Sequence, residues 1–255
     1  MHRFYLPPGE CKNPTLLLVA REAHHALHVL RVRRGERVTV LDGAGLELLC
    51  DVQECGRDTV RLAVVEKHSC PALPFQITLI QAVPKGKIIE AIIQKATELG
   101  AFRIVPLLSE RVVTQVGEED AAQKREKWQL VAIEAIKQCG SPWLPQVEAP
   151  LTPEQFLARG EKCELPLVAS LQSDSKHARE YFQAFQAERG RLPKSISVWV
   201  GPEGDFSPAE MTAIKTAGAL PITLGPLVLR SETAAVYCLS VLNYELQWQQ
   251  VIAEI

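Results

Sequence analysis

The front of the chain alternates apolar and polar residues over short stretches. Runs with the length and pattern of β-strands lie at 16–19, 37–41, 46–52 and 59–65. Residues 22–30 instead place alanine and leucine at helical spacing. Short strands separated by turn residues such as Asp42-Gly43 predict a small barrel or sandwich. Pro71 and Pro74 end this pattern.

From residue 75 onward, strand-like runs alternate with helical ones. The strands are predicted at 75–83, 102–108, 165–171, 195–200 and 221–224, and the helices at 88–99, 124–140, 178–187 and 233–250. Capping-box sequences with proline at the first helical position begin two more helices, after Thr152 and Ser207. This alternation predicts a parallel sheet covered on both faces. The expected domains are therefore residues 1–73, a β-barrel, and residues 74–255, an α/β domain.

Composition narrows the class of protein. The 255 residues are 47% hydrophobic and 23% charged, which is ordinary for a soluble globular chain and excludes disordered and collagen-like proteins. The seven cysteines are odd in number and contain no C-x-x-C pair, so we expect reduced thiols, a cytoplasmic protein and no metal site. No apolar run is long enough to span a bilayer, and no secretory leader is visible, so no membrane partner is expected.

Charge is distributed unevenly although the net charge is only −2. Residues 21–37 carry five arginines against two glutamates. Such a stretch could contact phosphate groups, or it could be the solvated end of a helix. Charge alone leaves both interpretations open.

The common nucleotide and hydrolase fingerprints are absent. There is no G-x-G-x-x-G after a strand, no P-loop, no G-x-S-x-G and no H-E-x-x-H. Two loops remain, and both follow predicted parallel strands, where open α/β sheets bind ligands. The first, 201–208, reads GPEGDFSP and lets backbone approach a ligand closely, although a plain strand-to-helix turn would look similar.

The second loop, 224–234, reads LGPLVLRSETA and carries an apolar run where polar residues are usual. It must pack against something, either protein or a flat ligand such as adenine. Arg230 and Glu232 follow at once, before a helix that Ser231 could cap.

Together these segments resemble the RsmE-type methyltransferases of the SPOUT superfamily. The resemblance is carried by the two loops, by RFYLP (3–7) and HALHVLRVRRGERVTVLDGAG (25–45), by QAVPKGKIIEAIIQKATELGAFRIVPLLSERVV (81–113) and by WQLVAIEAIKQCG (128–140). It implies methylation of N3 of a uridine in small-subunit (16S) ribosomal RNA with S-adenosylmethionine as cofactor. It also implies an N-terminal PUA-like β-barrel that binds RNA, a C-terminal trefoil-knot domain and a homodimer.

The resemblance assigns roles to particular residues. The implied cofactor-binding set is Leu171, Gly201, Pro202, Glu203, Gly204, Leu224, Gly225, Val228, Leu229 and Arg230. The implied RNA contacts are Arg3, Arg31, Arg33, Arg34, Lys85 and Lys87. For catalysis, Arg230 would stabilise negative charge on the uracil oxygens and Glu232 would accept the N3 proton, because the uridine must lose that proton to attack the methyl group. A helix-capping glutamate and a structural Arg–Glu pair remain the alternative.

Four positions depart from the family pattern. Asp205 replaces a glycine, Leu227 an arginine, Lys137 a glutamate and Ser141 an arginine. Two further functions therefore stay open beside uridine-N3 methylation. One is a SPOUT methyltransferase with another target nucleotide or a 2′-hydroxyl target, and the other is an RNA-binding ribosome-assembly module without catalysis.

Overall fold

The computed structural model describes residues 1–86, 88–111 and 118–253 and divides them into two compact units. The first unit contains residues 1–72 together with 133–144, and the second contains 73–132 and 145–255. The segment 133–144 thus belongs with the front of the chain, whereas the sequence prediction placed it in the second domain. In the described part of the chain, none of the helices combines the length and the apolarity that crossing a bilayer requires.

The first unit is an open, curled sheet. Its elements are β1 (His2–Tyr5), β2 (Thr15–Leu18), α1 (Ala20–His24), a π-helix (His25–Leu30), β3 (Arg37–Leu41), β4 (Leu46–Cys55) and β5 (Val60–Ser69). The strand order is β1-β3-β4-β5-β2, with β1 parallel to β3 and the other pairs antiparallel. Register shifts between Leu49 and Cys50 and between Val52 and Glu54 interrupt the β4–β5 ladder, and such bulges bend a sheet.

The β-barrel predicted for the front of the chain is confirmed only in part. In the described residues the edge strands β1 and β2 do not pair with each other, so the unit is a half-barrel. Both edge strands have only four residues. The buried alanines Ala23 and Ala26 of α1 and the π-helix join the sheet core instead, and so helical residues complete it. The predicted single helix at 22–30 is also divided, since its second half is π-helical.

The second unit confirms the predicted parallel sheet. Its elements are β6 (Gln76–Ala82), α2 (Ile88–Glu98), β7 (Arg103–Leu107), the first part of α3 (Glu118–Cys139), β8 (Gln146–Val147), α4 (Pro153–Ala158), β9 (Leu165–Ala169), α5 (Ala178–Arg189), β10 (Ser195–Val200), α6 (Pro208–Thr216), β11 (Leu220–Ile222) and α7 (Ser231–Ala253). The rest of α3, from Ile133, belongs to the first unit. The strand order is β11-β9-β10-β6-β7-β8, and every pair is parallel. Thr152 and Ser207 make the expected capping boxes.

Helices pack on the sheet through apolar side chains. Phe156 of α4 and Met211 and Ile214 of α6 join a buried cluster with Ile80 and Trp199. The helix α7 contacts β6 and β10 and packs with α2 and α5. Strands β9 and β11 end earlier than predicted, at Ala169 and Ile222, and this leaves Leu171 and Leu224 in the loops beyond them.

A buried ionic cluster lies within the first unit. The Lys137 Nζ is 2.8 Å from Glu22 Oε1 and 3.0 Å from Glu134 Oε1, and the Lys137 side chain is only 5% exposed. The other oxygen of Glu22, Oε2, accepts a hydrogen bond from the backbone N–H of Tyr5. Lys137 replaces the glutamate of the family pattern, and its positive charge is matched by these two carboxylates.

Candidate functional site

Three loops of the second unit converge on one cleft at the carboxyl ends of β9, β10 and β11, which is where open parallel sheets bind ligands. The cleft is lined by Ala169, Ser170, Leu171, Val200, Gly201, Pro202, Glu203, Asp205, Leu224, Gly225, Leu227, Val228, Leu229, Ser231 and Ala234. This set includes every residue of the implied cofactor site except Gly204 and Arg230, which lie in the same loops but outside the lining.

A serine hydroxyl joins the loops to the sheet. Ser231 Oγ donates a hydrogen bond to the carbonyl of Gly201 at 2.8 Å and accepts one from Gln81 Nε2 at 2.9 Å. Gln81 is fully buried at the end of β6, and its Nε2 also donates to the carbonyl of Ala82. We call this chain of bonds, from Gln81 through Ser231 to Gly201, the Ser231 bridge. It fixes the start of α7 against the loop that follows β10.

The loop after β10 is held by contacts on both sides. The carboxylate of Glu203 accepts a hydrogen bond from the backbone N–H of Lys85 at 3.1 Å, and the Gly204 carbonyl accepts one from the Arg111 guanidinium. A Cβ added at Gly201 would come within 2.9 Å of Asp205 Oδ1, so this position requires glycine unless Asp205 moves.

Asp205 stands where the family pattern has glycine, and its backbone conformation here is one that glycine adopts readily. The φ angle of Asp205 is +61°, in the left-handed region that glycine enters freely and that aspartate and asparagine tolerate better than other residues. Its Oδ1 accepts a hydrogen bond from the N–H of Phe206 at 2.8 Å. The substitution therefore keeps the turn and adds a carboxylate to the cleft.

The loop after β11 presents apolar side chains to the cleft and to solvent. Gly225 has a φ angle of +103°, which permits the sharp turn after Leu224. Leu227 and Val228 are 73% and 76% exposed. This answers part of the question left by the sequence: the loop is not packed wholly against protein, and its apolar side chains are available to a ligand or partner.

Arg230 and Glu232 lie on either side of Ser231, so the hydrogen bonds of Ser231 fix the backbone from which their side chains start. Arg230 is exposed and Glu232 is half-buried. The described residues place no carboxylate within ion-pair distance of Arg230, and the alternative of an Arg230–Glu232 structural pair is therefore not formed. Neither residue is in the lining of the cleft, and Glu232 lies in the first turn of α7, where a carboxylate also complements the helix dipole.

The residues implied in RNA binding are placed differently from one another. Arg31, Arg33 and Arg34 are exposed in the first unit. Arg3 instead donates hydrogen bonds to the carbonyls of Lys137 and Gln138, at the end of α3, where a cation also complements the helix dipole. Lys85 is exposed beside the loop after β10, and Lys87 lies outside the described residues.

Thiol and metal chemistry find no support in the described part of the chain. All seven cysteines are free, and burial raises the pKa of Cys50 and of Cys238 to about 12, so these thiols stay protonated. Among the described residues, no three histidine, cysteine or acidic side chains come close enough together to hold a metal ion.

The sequence did not lead us to expect Gln81 at the site, and it suggested a different role for Ser231. A signal for Gln81 was present, because a glutamine at the end of an otherwise apolar strand must find buried hydrogen-bond partners. Ser231 was considered only as a helix cap, since its contact with Gln81 spans 150 positions of the chain.

Comparison with known families finds two matching domain families. A family described as an RNA methyltransferase domain matches residues 71–243, and one described as an RNA methyltransferase PUA domain matches residues 20–65. The ribosomal RNA small subunit methyltransferase E of Bacillus subtilis is 33% identical over 235 residues, which cover 91% of each chain. That of a Synechocystis strain is 32% identical and covers 95% of this chain and 77% of its own.

Solved structures give the same result. A Legionella pneumophila methyltransferase in complex with bound S-adenosylmethionine is 32% identical and covers 97% of both chains, with a TM-score of 0.85. The ribosomal RNA small subunit methyltransferase E of Neisseria gonorrhoeae, also bound to S-adenosylmethionine, is 26% identical, with a TM-score of 0.82 over 96% of this chain and 97% of that one. From its PUA-like front, its parallel α/β rear and these relatives, the chain belongs to the ribosomal RNA small subunit methyltransferase E family.

Proposed function

We propose that this chain transfers the methyl group of S-adenosylmethionine to N3 of a uridine in small-subunit (16S) ribosomal RNA. The observation that carries the proposal is the convergence of three strand-end loops on one cleft, two of which, after β10 and β11, are joined by the Ser231 bridge. The relatives named for small-subunit ribosomal RNA, and the related structures that hold S-adenosylmethionine, support the choice of substrate and cofactor.

The residues of the cleft fit S-adenosylmethionine. Leu224, Val228 and Leu229 offer apolar surface to an adenine ring, and the glycines leave backbone edges open to hydrogen bonding. When bound, the cofactor supplies an activated methyl group on a positively charged sulfonium. The carboxylates of Glu203 and Asp205 line the same cleft and favour a cation there. Asp205 therefore strengthens the electrostatic match instead of opposing it.

Arg230 and Glu232 are the residues we assign to the chemistry. The N3 of uridine holds a proton at neutral pH, and removing it leaves negative charge on the uracil oxygens. Arg230, which has no ion-pair partner among the described carboxylates, stabilises that charge, and Glu232 accepts the proton. Both positions are set by Ser231 between them, whose hydroxyl is held at two points.

The finer features of the family belong to the same proposal. A C-terminal trefoil knot is supported by the path after the edge strand β11, since the chain returns to bond at Gly201 and enters a helix against β6 and β10. A homodimer is supported by the exposed apolar side chains of Leu227, Val228 and Tyr237. The seven free cysteines support a cytoplasmic location.

Titration and product mapping test the proposal. Isothermal titration of S-adenosylmethionine into the purified chain is expected to show binding, and mass spectrometry of treated ribosomal RNA is expected to find N3-methyluridine. Methylation of a 2′-hydroxyl or of another base would favour the substrate alternative. A folded chain that does not bind the cofactor would favour the RNA-binding module without catalysis.

The proton acceptor needs its own test. The variant Glu232→Gln keeps the size of the side chain but cannot take up a proton, so turnover is expected to fall while cofactor affinity is retained. Full turnover with an unchanged pH profile would exclude Glu232 from this role. Arg230→Ala should likewise lower turnover, and Arg230→Lys should recover part of it because the positive charge is kept.

A further inference from the structure

Three histidines occur close together at the helical segment of the first unit, and the structure gives them two different environments. His25 faces inward, where its ring meets Phe4 edge to face at 6.3 Å and its Nδ1 lies 3.5 Å from Lys137 Nζ. His24 and His28 are exposed, and their rings lie 4.8 Å apart with an interplanar angle of 46°. Packing therefore accounts for His25, whereas it gives no structural role to His24 and His28.

The backbone beneath this pair is unusual. The π-helix His25–Leu30 ends at Arg31, whose φ of 54° and ψ of 45° are left-handed. A π-helical turn is rare and is found disproportionately at functional sites, and a left-handed arginine is disfavoured by about 1 kcal/mol or more. A surface segment that needed only to cover the core could be an ordinary α-helix.

Positive charge follows the pair directly in sequence. Arg31, Arg33 and Arg34 are exposed and form no ion pair with a described carboxylate. Other arginines nearby are engaged: Arg21 lies 3.2 Å from Glu134 and Arg37 lies 3.3 Å from Asp51. The three unpaired guanidinium groups thus give the segment after the π-helix an uncompensated positive charge.

We propose that His24 and His28 form a stacking surface for an unpaired RNA base, with Arg31, Arg33 and Arg34 binding the adjoining phosphates. Imidazole rings stack on unstacked bases, and arginine binds phosphate, which is how proteins commonly hold single-stranded RNA. The bases inside a duplex are already stacked on one another and cannot also stack on a side chain. The surface therefore favours an unpaired segment of RNA. The inference rests on the proposed function only in taking RNA as the ligand.

The test compares matched double variants in equilibrium binding to a short single-stranded RNA and to protein-free small-subunit ribosomal RNA. His24→Ala with His28→Ala is expected to weaken binding about fivefold to 140-fold, which is the change in affinity that corresponds to roughly 1–3 kcal/mol of stacking on one base. His2→Ala with His68→Ala, which removes two exposed histidines elsewhere in this unit, is the control and should bind as the unaltered chain does. Equal affinity of the two double variants would overturn the proposal.

Salt dependence separates stacking from phosphate contact. Each arginine changed to alanine should reduce the slope of log affinity against log salt by about 0.7 for single-stranded RNA. The histidine variant, measured at about pH 8, should lower affinity without changing that slope, because stacking is not a phosphate contact. A histidine effect that appears only as a lower slope would overturn stacking.

A rescue variant distinguishes loss of stacking from loss of protein stability. Changing both His24 and His28 to phenylalanine keeps two rings, and near-normal RNA affinity supports the proposal even where the alanine pair folds poorly. Loss of RNA affinity in the phenylalanine pair overturns the proposal. So does an alanine pair that binds protein-free RNA normally but assembled small subunits weakly, because that result would indicate a contact with a protein. Cofactor titration is run in parallel: intact RNA stacking without cofactor binding would contradict the proposed function and leave this inference standing.

Discussion

Removing the hydroxyl of Ser231 is the sharpest test of how the cleft is built. Ser231 is 4% exposed and makes two hydrogen bonds, to Gly201 and from Gln81. At about 1 kcal/mol for each bond, Ser231→Ala should lower the free energy of unfolding by about 2 kcal/mol. Gln81 Nε2 keeps its bond to the Ala82 carbonyl, so the variant should remain folded.

Cofactor affinity should fall as well, because the loops after β10 and β11 lose their common anchor. If the assembled arrangement becomes about a tenth of the population, the apparent affinity for S-adenosylmethionine drops about tenfold, or 1.4 kcal/mol. Urea unfolding and isothermal titration measure the two effects. Ser197→Ala is the matched control, since Ser197 is a buried serine of β10 whose hydroxyl, among the described residues, bonds with Cys163 Sγ alone, at 3.1 Å. Equal cofactor affinity in the two variants would refute this reasoning.

Three further predictions follow from charge. Asp205→Asn should weaken binding of the cationic S-adenosylmethionine roughly threefold more than that of its neutral demethylated product, and titration of both ligands checks this. Lys137→Met leaves Glu22 without its partner and should cost about 3 kcal/mol in urea unfolding, with Glu22→Gln recovering part of the loss; no recovery would argue against the pair. The Arg191 guanidinium lowers the pKa of Glu164 to about 2, so this pair stabilises the fold above the ordinary glutamate pKa and loses that effect as pH falls toward 2. Because the pair is exposed and screened by solvent, Arg191→Ala should change the acid-sensitive part of the stability only slightly in urea unfolding measured across the acid range, and a large change there would contradict this assignment.

Local sequence was enough to predict most of the second unit. The capping boxes at Thr152 and Ser207 and the alternation of strands and helices depend on residues within a few positions of one another. The half-barrel was not predictable in the same way. Whether β1 and β2 meet depends on contacts between distant strands, and the bulges that bend β4 against β5 leave no clear mark on the hydrophobic pattern.

The candidate cleft shows the same limit. Glycine and proline identified the loops at 201–204 and 224–226 because close backbone approach requires particular residue types. The bonds that join these loops, from Ser231 to Gly201 and from Gln81 to Ser231, are tertiary contacts between distant positions, and no local pattern specifies the partner. Family resemblance supplied roles for single positions, but only the structure shows which side chains hold the loops together.

At three of the four positions that depart from the family pattern, the structure shows how the residue present is accommodated. At 205 the need is a left-handed backbone, and Asp205 meets it with a bond to its neighbour's N–H. At position 137 the carboxylates of Glu22 and Glu134 balance the positive charge of Lys137. At 141 the Ser141 hydroxyl donates to the Trp143 carbonyl within a turn. Nothing in the structure explains Leu227, which is exposed at the cleft. Leu227 lines the cleft and brings an apolar side chain where the family pattern has a cation, so we expect this exchange to act on what binds in the cleft, and any difference in target nucleotide should be sought first at position 227.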